Sequence, residues 1–271
     1  MKIHRPARRS APANDAVIDV HTHPVFFGEG AEPAALRALV QRARKQGIVH
    51  MVALGDVLKF GRLPTEEQVR AINDETAAGV ALAPDMFSGF CMVNPVLGER
   101  HVTREIDRGV TELGLVGIKL EFSNNARDEG LMAPVMAAAA RHGIPVLQHS
   151  WSQTNIRERS FHSDPEDTCL LARRHPEVNI IMAHLTGCGF RGVRAARGLR
   201  NVWVDTSGAA PEAGLVEYAV ETLGADRVLY GSDRPIRDFP VAIGRISGSA
   251  IPRSAQRAIL HDNARRLLRL P

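Results

Sequence analysis

Eight short runs of β-branched and apolar residues alternate with longer segments of helical periodicity along this chain, and that alternation is the signature of parallel βαβ units. The runs are Val17–His21, Val49–Leu54, Phe87–Val93, Leu115–Glu121, Pro145–His149, Asn179–His184, Val202–Thr206 and Arg227–Gly231. Between them apolar residues recur every three or four positions, as at Leu36, Leu39, Val40 and Ala43. The helical segments are punctuated as helices are. Thr65-Glu66-Glu67-Gln68 has the form of a capping box, and Gly47, Gly143 and Gly224 follow helical patterns where a left-handed cap belongs. Two architectures use such units, a closed eight-fold barrel and an open doubly wound sheet. The chain has 271 residues, near the size typical of a barrel, and its first strand-to-helix turn lacks the G-x-G-x-x-G of a dinucleotide-binding open sheet. The expectation is a single (β/α)8 TIM barrel over residues 15–271, with a basic tail at 1–14 and a helical extension over Ile251–Leu270.

The ends of these runs carry the chemistry. His21-Thr22-His23 closes the first run, and residues two apart on a strand share a face about 6–7 Å from one another, so both imidazoles can meet one cation. The fourth, fifth, sixth and eighth runs end at or near Lys119, His149, His184 and Asp233. In a closed barrel every C-terminal strand end faces one rim, so these groups meet around one cavity; an open sheet would spread them along an edge. Nitrogen and oxygen donors of this kind suit Zn(II), and Mn(II), Fe(II) or Co(II) less selectively.

Composition narrows the partners. The net charge is +4, but Lys2, Arg5, Arg8 and Arg9 all precede the first acid, Asp15, and the remainder carries 30 basic and 30 acidic side chains. A neutral body argues against a nucleic-acid-binding face. No apolar run approaches the ~20 residues of a membrane helix, and no apolar segment follows Arg8-Arg9 as in a secretory signal. Cys91, Cys169 and Cys188 show no metal-binding spacing and cannot all pair, which fits a reduced, cytoplasmic setting. The expected partner is a small-molecule substrate, with self-association into a homo-oligomer left open.

The motifs in order resemble those of the amidohydrolase superfamily, and especially its amidohydrolase-2 branch of metal-dependent hydrolases and non-oxidative decarboxylases. They are Ile18-Asp19-Val20-His21-Thr22-His23, Gly117-Ile118-Lys119-Leu120, Gln148-His149, Met182-Ala183-His184, the segment from Asn201 to Gly208, Tyr230-Gly231-Ser232-Asp233, and Asn263-Ala264-Arg265-Arg266-Leu267. The resemblance spans nearly the whole chain. It implies that His21, His23 and Asp233 hold a divalent metal, with His149 as the fifth-strand ligand. His184 then binds a second metal or orients substrate. It also makes Lys119 a residue that, in binuclear members, is carboxylated to bridge two metals; here one ion is favoured, with Lys119 and its face-mate Glu121 as the bridging or substrate-binding alternative.

A metal with one open position lowers the pKa of bound water toward neutrality, and a carboxylate beside it can move the proton to a leaving group. Asp233 is the expected shuttle, with His184 beside it. The first expectation is therefore a zinc-dependent hydrolase acting on an ester, lactone or amide of a small, carboxylate-bearing substrate. The alternative is a non-oxidative decarboxylase of an aromatic or unsaturated carboxylic acid on the same site. Asp19, on the His21 face, and Asp205, at the end of the seventh run, are expected to accept from metal-bound imidazoles. Arg234, beside Asp233, is the expected carboxylate anchor, joined by Trp151, Arg157, Arg159 and His162 in the loop after the fifth run.

Overall fold

The computed structural model describes residues 16–24, 32–152, 157, 160–210 and 212–271. The proposed tail at 1–14 and Arg159 lie outside them. Eight parallel strands follow one another in chain order around a barrel: β1 (Val17–Thr22), β2 (Ile48–Ala53), β3 (Phe87–Met92), β4 (Gly117–Leu120), β5 (Val146–Gln148), β6 (Ile180–Met182), β7 (Val202–Asp205) and β8 (Val228–Leu229). The chain beyond β8 closes the ring onto β1, through Val20 N–H to Tyr230 O at 3.0 Å, Asp233 N–H to His21 O at 2.8 Å and His23 N–H to Arg234 O at 2.7 Å. This is the (β/α)8 barrel expected from the alternation. Each of the eight runs overlaps a strand to within two residues at either end; β1 runs one residue further, to Thr22, β2 begins one residue earlier, at Ile48, and His149, His184 and Asp233 stand just past their strands rather than on them.

The connecting helices are α1 (Pro33–Lys45), α2 (Glu66–Ala81), α3 (Glu99–Thr111), α4 (Glu129–His142), α5 (Pro165–Arg174), α6 (Leu185–Ala196), α7 (Leu215–Leu223) and α8 (Phe239–Ser247). At α2 the expected capping box forms, with the Thr65 side chain accepting from Gln68 N–H and the Gln68 side chain accepting from Thr65 N–H. The C-terminal extension is helical over Arg253–Leu267, with a π turn at Ala258–Asp262. Among the described residues no helix is long and apolar enough to cross a membrane. All three cysteines are free and buried.

Strand alternation divides the apolar side chains into two cores. Ile18, Val20, Val52, Phe90, Leu147, Ile181 and Leu229 fill the barrel interior with Ala264 and Leu268 of the C-terminal helix, whereas Val17, Met51, Cys91, Ile118, Val146 and Met182 pack between strands and helices. On β1 this parity would point His21 away from the interior. The β1–β2 register, however, shifts between Asp19 and Thr22, and the irregularity turns the end of β1 so that His21 and His23 enter the cavity above the apolar layers.

Candidate active site

His21, His23, Lys119, Glu121, His149, His184 and Asp233 line a single cavity of about 190 Å³. They come from β1 and β4, from the residues just after each, and from the loops after β5, β6 and β8, the convergence expected of a barrel rim. His184 and Asp233 both adopt left-handed backbone, with φ of 66° and 63°, an uncommon and costly conformation for non-glycine residues that concentrates at functional sites.

Three groups form a metal-capable set. Ligand atoms of His21, His23 and Asp233 lie within 4.8 Å of one another, with Asp233 Oδ1 3.5 Å from His21 Nε2 and 3.9 Å from His23 Nε2. A tetrahedral cation bound at about 2.0–2.2 Å would hold its ligands roughly 3.4 Å apart, so the set fits one ion with little adjustment. The far side of each ring supports this. His21 Nδ1–H donates to Asp205 Oδ2 at 3.0 Å and His23 Nδ1–H donates to the Gly55 carbonyl at 3.0 Å. Each acceptor has no proton to give, so each imidazole carries its hydrogen on Nδ1 and presents a bare Nε2 toward Asp233.

The electrostatics distinguish the two imidazoles. Burial opposes charge on His21, but Asp205 and Asp233 outweigh it and raise its pKa. Burial pushes the His23 imidazole down to about 3, keeping it neutral. For Asp205 burial acts upward, yet His21 and Ser207 hold its carboxyl below the usual range. Asp233 is raised, chiefly by burial.

His149 lies in the same cavity but outside the triad. Its Nδ1 is 2.9 Å from Glu121 Oε1 and 3.2 Å from His184 Nε2. Among the described residues the metal-capable sets are His21–His23–Asp233 and His21–His184–Asp205, and neither contains His149; its ring is engaged by Glu121 instead. His184 joins a hydrogen-bonded chain, with Nδ1 2.8 Å from Ser207 Oγ, and Ser207 in turn donating to Asp205. Burial lowers the His184 pKa well below the ordinary histidine value. Lys119, fully buried, makes an ion pair of 2.8 Å with Glu121, and this pair holds the Glu121 carboxyl low against the opposing effect of burial.

Several expected roles are corrected. Asp19 does not accept from an imidazole: Oδ1 takes the backbone N–H groups of His21 (3.1 Å) and Ser232 (3.0 Å), because the register shift separates its side chain from that of His21. Asp205 does accept from His21. Arg234 does not line the cavity; its guanidinium turns to Asp238 at 2.9 Å and lies over the Phe239 ring at 5.2 Å. Arg157 is exposed and also absent from the cavity wall, while His162 stands behind Phe122, ring to ring at 4.6 Å. Trp151 does line it, edge-on to His184 at 5.5 Å. Sequence reasoning missed Phe122 and Arg237. Phe122 directly follows Glu121 and meets the His149 ring at 4.2 Å; Arg237 sits one turn beyond Asp233.

With Leu58 and Ile236 beside Phe122 and Trp151, the wall above the donor set is aromatic and apolar. It can hold a flat, apolar body against a polar floor.

Comparison with known proteins bears on the reaction. Residues 18–270 match the amidohydrolase family model Amidohydro_2. The gamma-resorcylate decarboxylase of Rhizobium radiobacter is 24% identical over 253 residues, covering 75% of this chain and 76% of that protein. The structure of 5-carboxyvanillate decarboxylase from Sphingomonas paucimobilis superposes with a TM-score of 0.73 at 19% identity, covering 95% of this chain and 100% of that one. The dihydroxybenzoic acid decarboxylase of Polaromonas sp. JS666, solved with manganese and 2-nitroresorcinol, gives 0.70 at 20% identity, with 94% and 97% covered. These relatives overturn the first functional expectation: they are decarboxylases, so ester, lactone or amide hydrolysis gives way to the alternative.

Proposed function

We propose, from the premise that this chain belongs to the amidohydrolase family, that it is a metal-dependent, non-oxidative decarboxylase of a hydroxylated aromatic carboxylic acid. The observation that carries this reading is the two-histidine, one-carboxylate set at the floor of a cavity walled by Phe122, Trp151, Leu58 and Ile236. A carboxylate and a neighbouring phenolic oxygen are drawn to the floor, and a planar ring fits the wall.

His21, His23 and Asp233 would hold a divalent cation, and His149, whose Nδ1 is taken up by Glu121, keeps Nε2 as a further donor in the same cavity. Such an ion supplies positive charge that binds and orients the carboxylate and phenolate oxygens of the substrate. Two imidazoles with carboxylate oxygen suit zinc and also accept manganese, the ion held by the Polaromonas neighbour. Loading the metal-free protein with each and comparing initial rates assigns the ion.

The protein's own groups then do three things. Phe122 and Trp151 confine the ring by its faces and edges. Asp205 and the Gly55 carbonyl fix the His21 and His23 tautomers, so these rings do not compete for the substrate's proton. Asp233, in the cavity beside the His21 and His23 imidazoles, would deliver the proton that the ring carbon must gain as the carbon–carbon bond breaks. The balance is one aryl carboxylate and one proton giving one arene C–H and one CO2. His184, kept neutral and tied to Ser207, shapes the site rather than supplying that proton.

The reaction run in D2O with a dihydroxybenzoate should release CO2 and place one deuterium on the carbon that lost it. In water enriched in oxygen-18, the arene product should carry none of the label. Label in the arene, or no CO2 from any hydroxybenzoate with the metal-loaded protein, would refute the reading.

A further inference from the structure

The charge inventory of the cavity is uneven. Lys119 lies at the floor, buried and neutralised by Glu121 at 2.8 Å. Arg234 is committed to Asp238. What remains is Arg237, half-buried in the wall beside Ile236. Its guanidinium donates to the Ile236 carbonyl at 2.8 Å and forms no ion pair with any described residue. Most of its five N–H donors are therefore open to a ligand. Its place is fixed by the backbone: Arg237 N–H donates to Asp233 O at 3.1 Å, closing a single turn that sets the guanidinium's base one step above the metal-capable carboxylate.

We propose that Arg237 selects substrates bearing a second carboxylate, on a ring carbon remote from the group that is lost. This rests on the decarboxylase reading above. The floor takes the reacting carboxylate, and a mono-acid leaves Arg237 facing an apolar wall. A diacid instead offers the planar, two-oxygen partner that a guanidinium matches in bidentate fashion. In a site that is half shielded from water such a pair discriminates strongly, because the substrate lacking it leaves a charged donor unpaired.

The test compares 4-hydroxyisophthalate with 2-hydroxybenzoate, which differ by the second carboxylate. In Arg237→Gln the ratio of kcat/KM for the diacid over the mono-acid should fall tenfold or more, through KM for the diacid, and Arg237→Lys should recover part of it. A second measurement does not depend on turnover. Isophthalate and benzoate are titrated into the metal-loaded protein while intrinsic tryptophan fluorescence is followed, with Trp151→Phe locating the signal in the cavity. Wild type should bind isophthalate at least about tenfold more tightly than Arg237→Gln does. Equal binding of isophthalate by the two, or an unchanged kcat/KM ratio, would overturn the proposal. If the wild type releases CO2 from neither of these acids nor from any other hydroxybenzoate, the decarboxylase reading fails, and the titration still decides the role of Arg237.

Discussion

At Asp19 two demands oppose each other. Its carboxylate staples the last turn of β1 to the chain beyond β8, through the N–H groups of His21 and Ser232, yet it is fully buried and Oδ2 has no hydrogen-bond partner. Burial outweighs the hydrogen bonds and pushes its pKa up to about 7 from 3.8. A carboxyl raised on folding binds more protons in the native state, so its contribution is complete below the unfolded value and is lost as pH climbs through the folded one. His23, pushed down to about 3, works the other way between that value and the ordinary histidine range, so the two slopes overlap in the wild type. The comparison that separates them is Asp19→Asn, which keeps an acceptor for the two N–H groups and removes the titration. Relative to this variant the wild type should lose stability, on the order of 4 kcal/mol at most, as pH rises from about 4 through about 7. Urea unfolding at a series of pH values, with chelator present, measures it; a constant difference would show that Asp19 does not carry the proton. The sequence named Asp19 but not its task. Alternation along a strand predicts which residues share a face, and it fails where a register shift resets the count. His21, His23 and Asp233 come together all the same, since strand ends meet at one rim whatever their exact register.

Among the elements, the eight strands were legible because each is a short apolar run between strong helical patterns, with expected boundaries within two residues of the observed ones. Loop-borne residues were less legible, because side-chain direction after a strand is set by packing and not by periodicity. Arg234 and Arg237 make the contrast plain: both follow Asp233, but Arg234 faces Asp238 and Phe239 of α8 while Arg237 faces the cavity. Trp151 was named from sequence, yet its placement depends on a residue that carries no side chain. A Cβ at Gly187, in the first turn of α6, would come within 2.3 Å of the Trp151 ring. The indole therefore lies against bare backbone there. Gly187→Ala should displace it, costing about 1–3 kcal/mol as overpacking in a close-packed region does, and narrowing the cavity. Thermal unfolding reads the first effect and the emission maximum of Trp151 the second, measured as the difference from a Trp151→Phe background that retains Trp203. Unchanged melting and emission would mean that the wall has room that the static packing does not show.

For the whole molecule, the proposed metal site spans the seam at which the barrel closes. His21 belongs to β1, His23 directly follows it, Asp233 belongs to the segment after β8, and the backbone bonds between these two pieces complete the ring. An ion gripping both sides would add a tether where the ladder is shortest, with β8 only two residues long. Binding to the native state alone stabilises by mass action, about 2.7 kcal/mol at a free metal concentration a hundredfold above Kd. At roughly 2–4 °C per kcal/mol for a domain of this size, manganese or zinc should raise Tm by about 5–10 °C over the chelated protein. The barrel itself should persist without metal, because its two apolar cores are formed by side chains other than the proposed metal donors. The far-ultraviolet circular dichroism of chelated and loaded protein should therefore coincide below the transition. Asp233→Ala tests the location: it takes one donor from the seam, so the metal-dependent increment in Tm should shrink to less than half while the chelated protein melts near the wild type. An increment that survives Asp233→Ala undiminished would place the ion elsewhere on the molecule, and the reading of the rim as a metal centre would fail with it.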